Sequence, residues 1–227
     1  MLIYIARMKH FICIAAISSL ALPAAAQTKL NFRLKHELDS LYEVDQRYRA
    51  MLFDPRINRN PDSLATALGV PKSELNAAIM RQMQRTDLIN LARVEVILQR
   101  YGYPGKSLVG EPTNQAAWSV IQHAPRVISH YLPLMQRAAE KGELPFTRYA
   151  TMLDRQLRTE GKEQLYGTQA VNFNNQPPFI WPIQNPTQVN QRRKQAGFST
   201  TVEENAVLLG VTYQLLTLEE VAKMNKQ

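Results

Sequence analysis

The stretch "PFTRYATMLDRQLRTEGKEQLYGTQAV" (Pro145 to Val171) decides the fold, because the period of its apolar residues changes inside it. Phe146, Tyr149, Leu153 and Leu157 recur at helical spacing, with Pro145 opening the run and Gly161 stopping it. Beyond the glycine the period drops to two. Val171 and Phe173, then Phe179, Trp181 and Ile183, alternate around "NNQPP" and predict a small hairpin. The segment between, "QLYGTQ" (Gln164 to Gln169), sits where helix gives way to strand.

Helical spacing also governs the rest of the chain. Leu30, Leu34, Leu41, Val44, Tyr48 and Leu52 predict a helix over Lys29 to Phe53, broken by "DPRINRNP" (Asp54 to Pro61). A second helical region is expected from Lys72 to Tyr101. Its later part has Thr86 or Asp87 as cap, Leu88, Leu91, Val94, Leu98 and Tyr101 on one face, and Gly102 as stop. "GYPGKSLVGEP" (Gly102 to Pro112) reads as a loop, and Thr113 as the cap of the next helix. Pro125 suits a helix's first turn, and Pro133 predicts a kink or restart. Two short helices are expected near Thr187–Ala196 and Val202–Leu209. The reading is mainly α: an irregular multi-helix bundle with one small β-hairpin near residues 170–184.

The first 26 residues read as a secretory signal peptide. Arg7 and Lys9 precede the uncharged Phe11 to Leu22, and Ala24-Ala25-Ala26 offers a cleavage site before Gln27. The apolar run falls short of the roughly 20 residues a membrane span needs. The mature chain is then exported, periplasmic or extracellular, with residues 27–227 as one mainly helical domain. The only cysteine, Cys13, lies within the signal. That excludes disulfides, thiol nucleophiles and thiolate metal sites from the mature protein. Removing Arg7 and Lys9 from the 27 basic residues leaves 25 against 19 acidic, a net +6. The densest basic cluster, "QRRKQ" (Gln191 to Gln195), has no interleaved aromatic for bases to stack on, which argues against nucleic acid as a partner.

Gly105-Lys106-Ser107 ends a phosphate-loop pattern, but Arg100 stands where its first glycine belongs. His123 and His130 are seven apart across Pro125, not at the spacing that puts two imidazoles on one metal. No metal site or cofactor is expected. His123, near the apolar face of its helix, is either a packed core-edge residue or a general acid/base. Asp154 either pairs with Arg158 one turn on or turns towards the polar loop. Gln164, Tyr166, Thr168 and Gln169 either satisfy their own loop around Gly167 or present neutral donors and acceptors to a polar ligand, with Trp118 or Trp181 as apolar wall.

Five segments, "DLINLARVEVILQRYGYPGKSLVG", "AAWSVIQHA", "YLPLMQRAAEKGEL", "YATMLDRQLRTEGKEQLYGTQ" and "WPIQNPTQVNQRRKQAGF", resemble in order a bacterial family known as domain of unknown function 6624. The likeness runs from about Asp87 to the C-terminus, with a weaker echo in "VDQRYR" (Val44 to Arg49). It implies family positions at His123, Asp154, Arg155, Gln164, Tyr166, Gly167, Thr168, Gln169, Arg192 and Arg193, and no established activity. Many members carry an acidic residue after "QHA", where this chain has Pro125-Arg126. Three readings follow. The first is a binding module for a small polar ligand or envelope component, with its site near His123 and the Gln164–Gln169 loop. The second is an envelope-directed hydrolase using His123 or Asp154 as acid/base, with Arg155 or Arg193 holding an anion. In the third the polar motifs are interhelical glue.

Overall fold

The computed structural model of the chain describes residues 29–55, 59–173 and 177–224. The segment read as a signal peptide lies outside the described residues. Among those described, ten α-helices and one two-stranded sheet make the protein mainly α, as its periodicity predicts.

Helix α1 (Phe32–Phe53) begins three residues later than expected. Asn31 sets the start, its side chain accepting the Leu34 N–H at 3.0 Å. Helix α2 (Pro61–Leu68) was not foreseen. Asn60 caps it and Pro61 opens its first turn, so the end of the stretch read as a break is a helix start. Helix α3 (Leu75–Tyr101) runs without interruption after a 3₁₀ turn at Lys72–Glu74. Thr86 and Asp87 therefore cap nothing. The buried face of α3 is also rotated from the expected one. Asn90, Leu91, Val94, Ile97 and Leu98 are buried, whereas Leu88 and Tyr101 are exposed. The buried set is the face that packs on α1 and on α5.

One turn of helix, α4 (Lys106–Val109), occupies the glycine-rich loop. Thr113 does not cap the next helix. It lies in a 3₁₀ turn, and its hydroxyl donates to Asp39 at 2.6 Å. Helix α5 (Ala116–Gln122) is buried from Ala116 through Ile121, with Ser119 the one polar residue of that run. It touches α1, α3 and α6 and forms the axis of the main core. Helix α6 (Pro125–Glu140) passes through Pro133 without a restart. Helix α7 (Phe146–Thr159) packs on α6 and ends before Gly161. Of the expected stripe only Tyr149 is buried, together with Ala150, Met152 and Asp154. Phe146, Leu153 and Leu157 are only half-buried, because α7 turns Asp154 inward to meet the following loop.

Strands β1 (Ala170–Val171) and β2 (Phe179–Ile180) pair antiparallel, Ala170 opposite Ile180 and Val171 opposite Phe179. Helices α8 (Val189–Gln195) and α9 (Val202–Leu208) follow close to their expected limits. Helix α10 (Leu218–Met224) was missed. Thr217 and Glu220 bond reciprocally across its first turn, a capping box legible in "TLEE". The hairpin, α8 and α9 close a second, smaller core of Ile180, Ile183, Val189, Val202 and Ala206. No helix among the described residues is long and apolar enough to cross a membrane.

Ile121 is fully buried at the centre of the main core. Ile121→Ala is expected to cost about 3 kcal/mol through lost burial and a residual cavity. Urea unfolding of both proteins measures it; a loss under about 1 kcal/mol would show that α5 is not the axis of the core.

Candidate functional site

The polar residues singled out in the sequence fall into two hydrogen-bonded groups. The first surrounds Asp154 at the end of α7. Its carboxylate is fully buried and faces backbone donors rather than a cation. Oδ1 accepts the N–H groups of Leu165 at 2.8 Å and Tyr166 at 3.0 Å. Oδ2 accepts Tyr166 N–H at 3.1 Å, Thr168 N–H at 3.0 Å and the Thr168 hydroxyl at 2.9 Å. Burial pushes this carboxyl above its ordinary range, and the donors from Thr168, Leu165 and Tyr166 pull it back only in part.

Gln164, also fully buried, works as a piece of backbone. Its amide donates to the carbonyls of Gln169 at 3.0 Å and Trp181 at 2.7 Å, and accepts Gln169 N–H at 2.9 Å. Gly167 has φ +67°, and a Cβ there would lie 2.5 Å from Val202 Cγ2 and 2.9 Å from Ile183 Cδ1. No other residue type fits. Arg193 reaches from α8 to the Tyr166 carbonyl at 2.7 Å and to Thr200 O and Oγ1 at 2.8 and 2.9 Å. Its neighbour Arg192 donates to Leu165 O at 3.0 Å and to the carbonyl of Gln184. The Gln169 amide bonds the Thr168 hydroxyl at 3.1 Å, and Tyr166 tilts against Phe198. Most donors and acceptors here are spent on one another. The group ties α7, the hairpin and α8 together.

The second group centres on Asp45, which α1 buries against α5. His123, at the C-terminal cap of α5, places Nδ1 3.1 Å from Asp45 Oδ1. A neutral imidazole with its proton on Nδ1 donates there and leaves Nε2 unbonded. Asp45 Oδ2 accepts the Gln46 amide at 2.7 Å and the Ser119 hydroxyl at 3.3 Å. Arg49 completes the set. Its Nη1 lies 3.3 Å from Asp45 Oδ1, and Nη2 donates to both oxygens of Asp87 at 2.8 Å. Asp45 lies between Ser119 and His123, so the imidazole bonds the carboxylate and not the Ser119 hydroxyl.

Asp45, Asp87 and His123 bring three donor atoms within 4.8 Å of one another, as metal ligands do. The histidine spacing that argued against a metal says nothing about this set, which comes from three helices. The Arg49 guanidinium already bridges the two carboxylates, and a cation would have to displace it.

Gln46 and Ser119 also line a cleft of about 550 Å³ between α1, α5 and α7. Its wall is pinned. The Trp118 indole donates to Arg148 O at 2.8 Å, the Arg148 guanidinium lies 4.6 Å from the indole ring, and its Nε bonds Gln115 Oε1 at 2.6 Å. Gln122 presents a side-chain amide with no partner among the described residues. Arg155 connects the groups, its Nη1 donating to the Gln122 carbonyl at 2.7 Å. No hydrogen bond among the described residues joins Asp154 or the 164–169 loop to His123.

Asp45, Gln46, Arg49, Asp87, Ser119 and Gln122 escaped the sequence reading as site residues. Their signal was positional: Asp45 is a charge on the apolar stripe of α1, one helical face with Leu34 and Leu38.

The two groups predict different costs. Asp154→Asn sets an NH₂ against backbone N–H donors in a sealed site and is expected to cost about 3 kcal/mol. His123→Ala, at a partly exposed cap, is expected to cost about 1 kcal/mol or less. Urea unfolding of both variants compares them, and the reverse order would dismiss Asp154 as the anchor.

The model of a family described only as of unknown function, DUF6624, matches residues 33–217. No curated protein and no solved structure matches significantly. The chain belongs to that family, DUF6624.

Proposed function

We propose that the protein is an exported bacterial binding module that takes a small polar ligand, free or part of an envelope component, into the cleft between α1, α5 and α7. One observation carries the reading. The cleft wall combines a fixed indole with hydrogen-bonding side chains from three helices, Asp39 and Arg148 among them, and the Gln122 amide has no partner among the described residues. Ligand sites of this size use a few convergent polar groups on an apolar wall. Trp118 and Arg148 are held by each other before any ligand arrives, so little ordering is needed on binding. Export is supported by the order basic, apolar, small in residues 1–26. The 164–169 loop contributes from behind, by holding the end of α7.

A second, hydrolytic reading is favoured by His123 alone. With Nδ1 on Asp45, its free Nε2 suits proton transfer. Asp45 is then the carboxylate partner, since both oxygens of Asp154 are occupied.

Screening neutral saccharides and amino-acid amides by NMR tests the first reading, with the Trp118 indole N–H and the Gln46 and Gln122 amides as reporters. A bound ligand is expected to shift all three. Gln122→Ala should then weaken it roughly tenfold, the equivalent of one to one-and-a-half net hydrogen bonds. Shifts confined to surface residues would dismiss the cleft. Turnover abolished by His123→Gln at unchanged affinity would establish the hydrolytic reading instead.

A further inference from the structure

Two arginines on α7 are unlike the other buried cations of the described chain. Arg155 and Arg158 are three residues apart, hence neighbours on one helix face. Both are half-buried, and the Nε of each is sealed from solvent with no hydrogen-bond partner. Neither guanidinium meets a carboxylate among the described residues. Among the described residues the Arg155 side chain makes one bond, to the Gln122 carbonyl, and the Arg158 side chain makes none. The contrast with Arg193 and Arg49 is direct. Arg193 spends Nε and both Nη groups on fixed acceptors, and Arg49 bridges two carboxylates. A guanidinium does not shed its charge at ordinary pH. Burial lowers the Arg155 pKa from its usual value and Arg158 lowers it further, so the two charges feel each other.

The face they share lies further along α7 from the residues that line the cleft. Arg148 and Thr151 line the cleft, and Arg155 and Arg158 follow them at helical spacing. Gln122, whose carbonyl receives Arg155, is a lining residue. We infer that Arg155 and Arg158 form an oxyanion subsite at the end of the cleft, which takes a phosphate or carboxylate group of the polar ligand. Each planar guanidinium offers Nε–H and one Nη–H as a fork that fits two oxygens of one anion. An anion drawn between the two guanidinium groups, with the side chains turning their sealed Nε–H groups to meet it, would satisfy both donors and relieve the repulsion. The placement at the cleft rests on the binding reading above; the donor pair does not.

Arginine Nε–H resonances of the ¹⁵N-labelled protein, titrated with inorganic phosphate and separately with acetate at constant ionic strength, test the inference. The Arg155 and Arg158 signals are expected to shift together and saturate with one or both anions. Saturation by phosphate alone assigns a phosphate ligand, and saturation by acetate alone a carboxylate. Arg158→Gln is expected to weaken binding at least roughly tenfold, and Arg158→Lys, which keeps the charge and loses the fork, by less. Arg137→Gln, on the exposed side of α6, should leave it unchanged. Arg158 makes no hydrogen bond that its loss would break, so these variants are expected to fold. Shifts that never saturate, or the same affinity in Arg158→Gln, overturn the subsite. The cleft has its own reporters in Trp118, Gln46 and Gln122. If they respond to a neutral ligand while the arginines stay silent, only the subsite fails. Anion binding at the arginines with the cleft reporters unresponsive to every ligand, neutral or anionic, would overturn the cleft reading and keep the oxyanion pair.

Discussion

A buried carboxylate that faces N–H groups instead of a cation is the constraint on which the C-terminal half of this protein depends. Asp154 lies at the end of a helix whose other buried residues are Tyr149, Ala150 and Met152. Sealing a charge there would be prohibitive without donors. The donors come from the backbone of Leu165, Tyr166 and Thr168, which can point at one carboxylate only if the chain turns sharply at Gly167. Arg193 takes the carbonyl on the other side of Tyr166. The peptide groups around Tyr166 are thus held from α7 on one side and α8 on the other. That fixes where the hairpin leaves the helical body and where the second core closes over Ile183 and Val202.

Helix α7 serves two purposes because adjacent residues on a helix point in different directions. Asp154 turns into the lock. Arg148 and Thr151 turn to the cleft. Arg155 extends from this cleft-facing side to the end of α5. A rigid lock at one end of α7 therefore determines the position of the cleft wall. Vocabulary that looked catalytic in the sequence belongs largely to the support, and the open polar surface lies beside it.

How much was legible follows from the range of each signal. Periodicity is local, and it revealed the long helices, the hairpin and most of their limits, but not α2, α4 or α10. It failed where a cap resembled a breaker, as at Asn60-Pro61, and where a charged residue suggested a boundary inside a long helix, as at Asp87. It also misjudged the buried faces of α3 and α7. The orientation of a helix is set by its partners, and Asp154 outweighs Leu157 once loop N–H groups are available to it. Within the candidate site, His123 and Arg155 were singled out because their residue types carry chemistry. Asp45, Arg49 and Asp87 were not. They meet His123 only after α1, α3 and α5 pack, and no spacing along the chain encodes that meeting.

The Gln164 side chain, bonding Gln169 and Trp181 as a strand would, bears on how this protein is made. A hairpin of two-residue strands does not stand alone in water. Its extra rungs depend on Asp154, already synthesised, and on Arg193 and Asn205, still to come. On a growing chain the helical body around α5 has all its residues before the lock does. Closure waits for α8 and α9 to emerge. A chain cut short before Arg193 would keep most of its main core while leaving the Tyr166 carbonyl without its guanidinium. The C-terminal segment thus completes the lock that holds the end of α7.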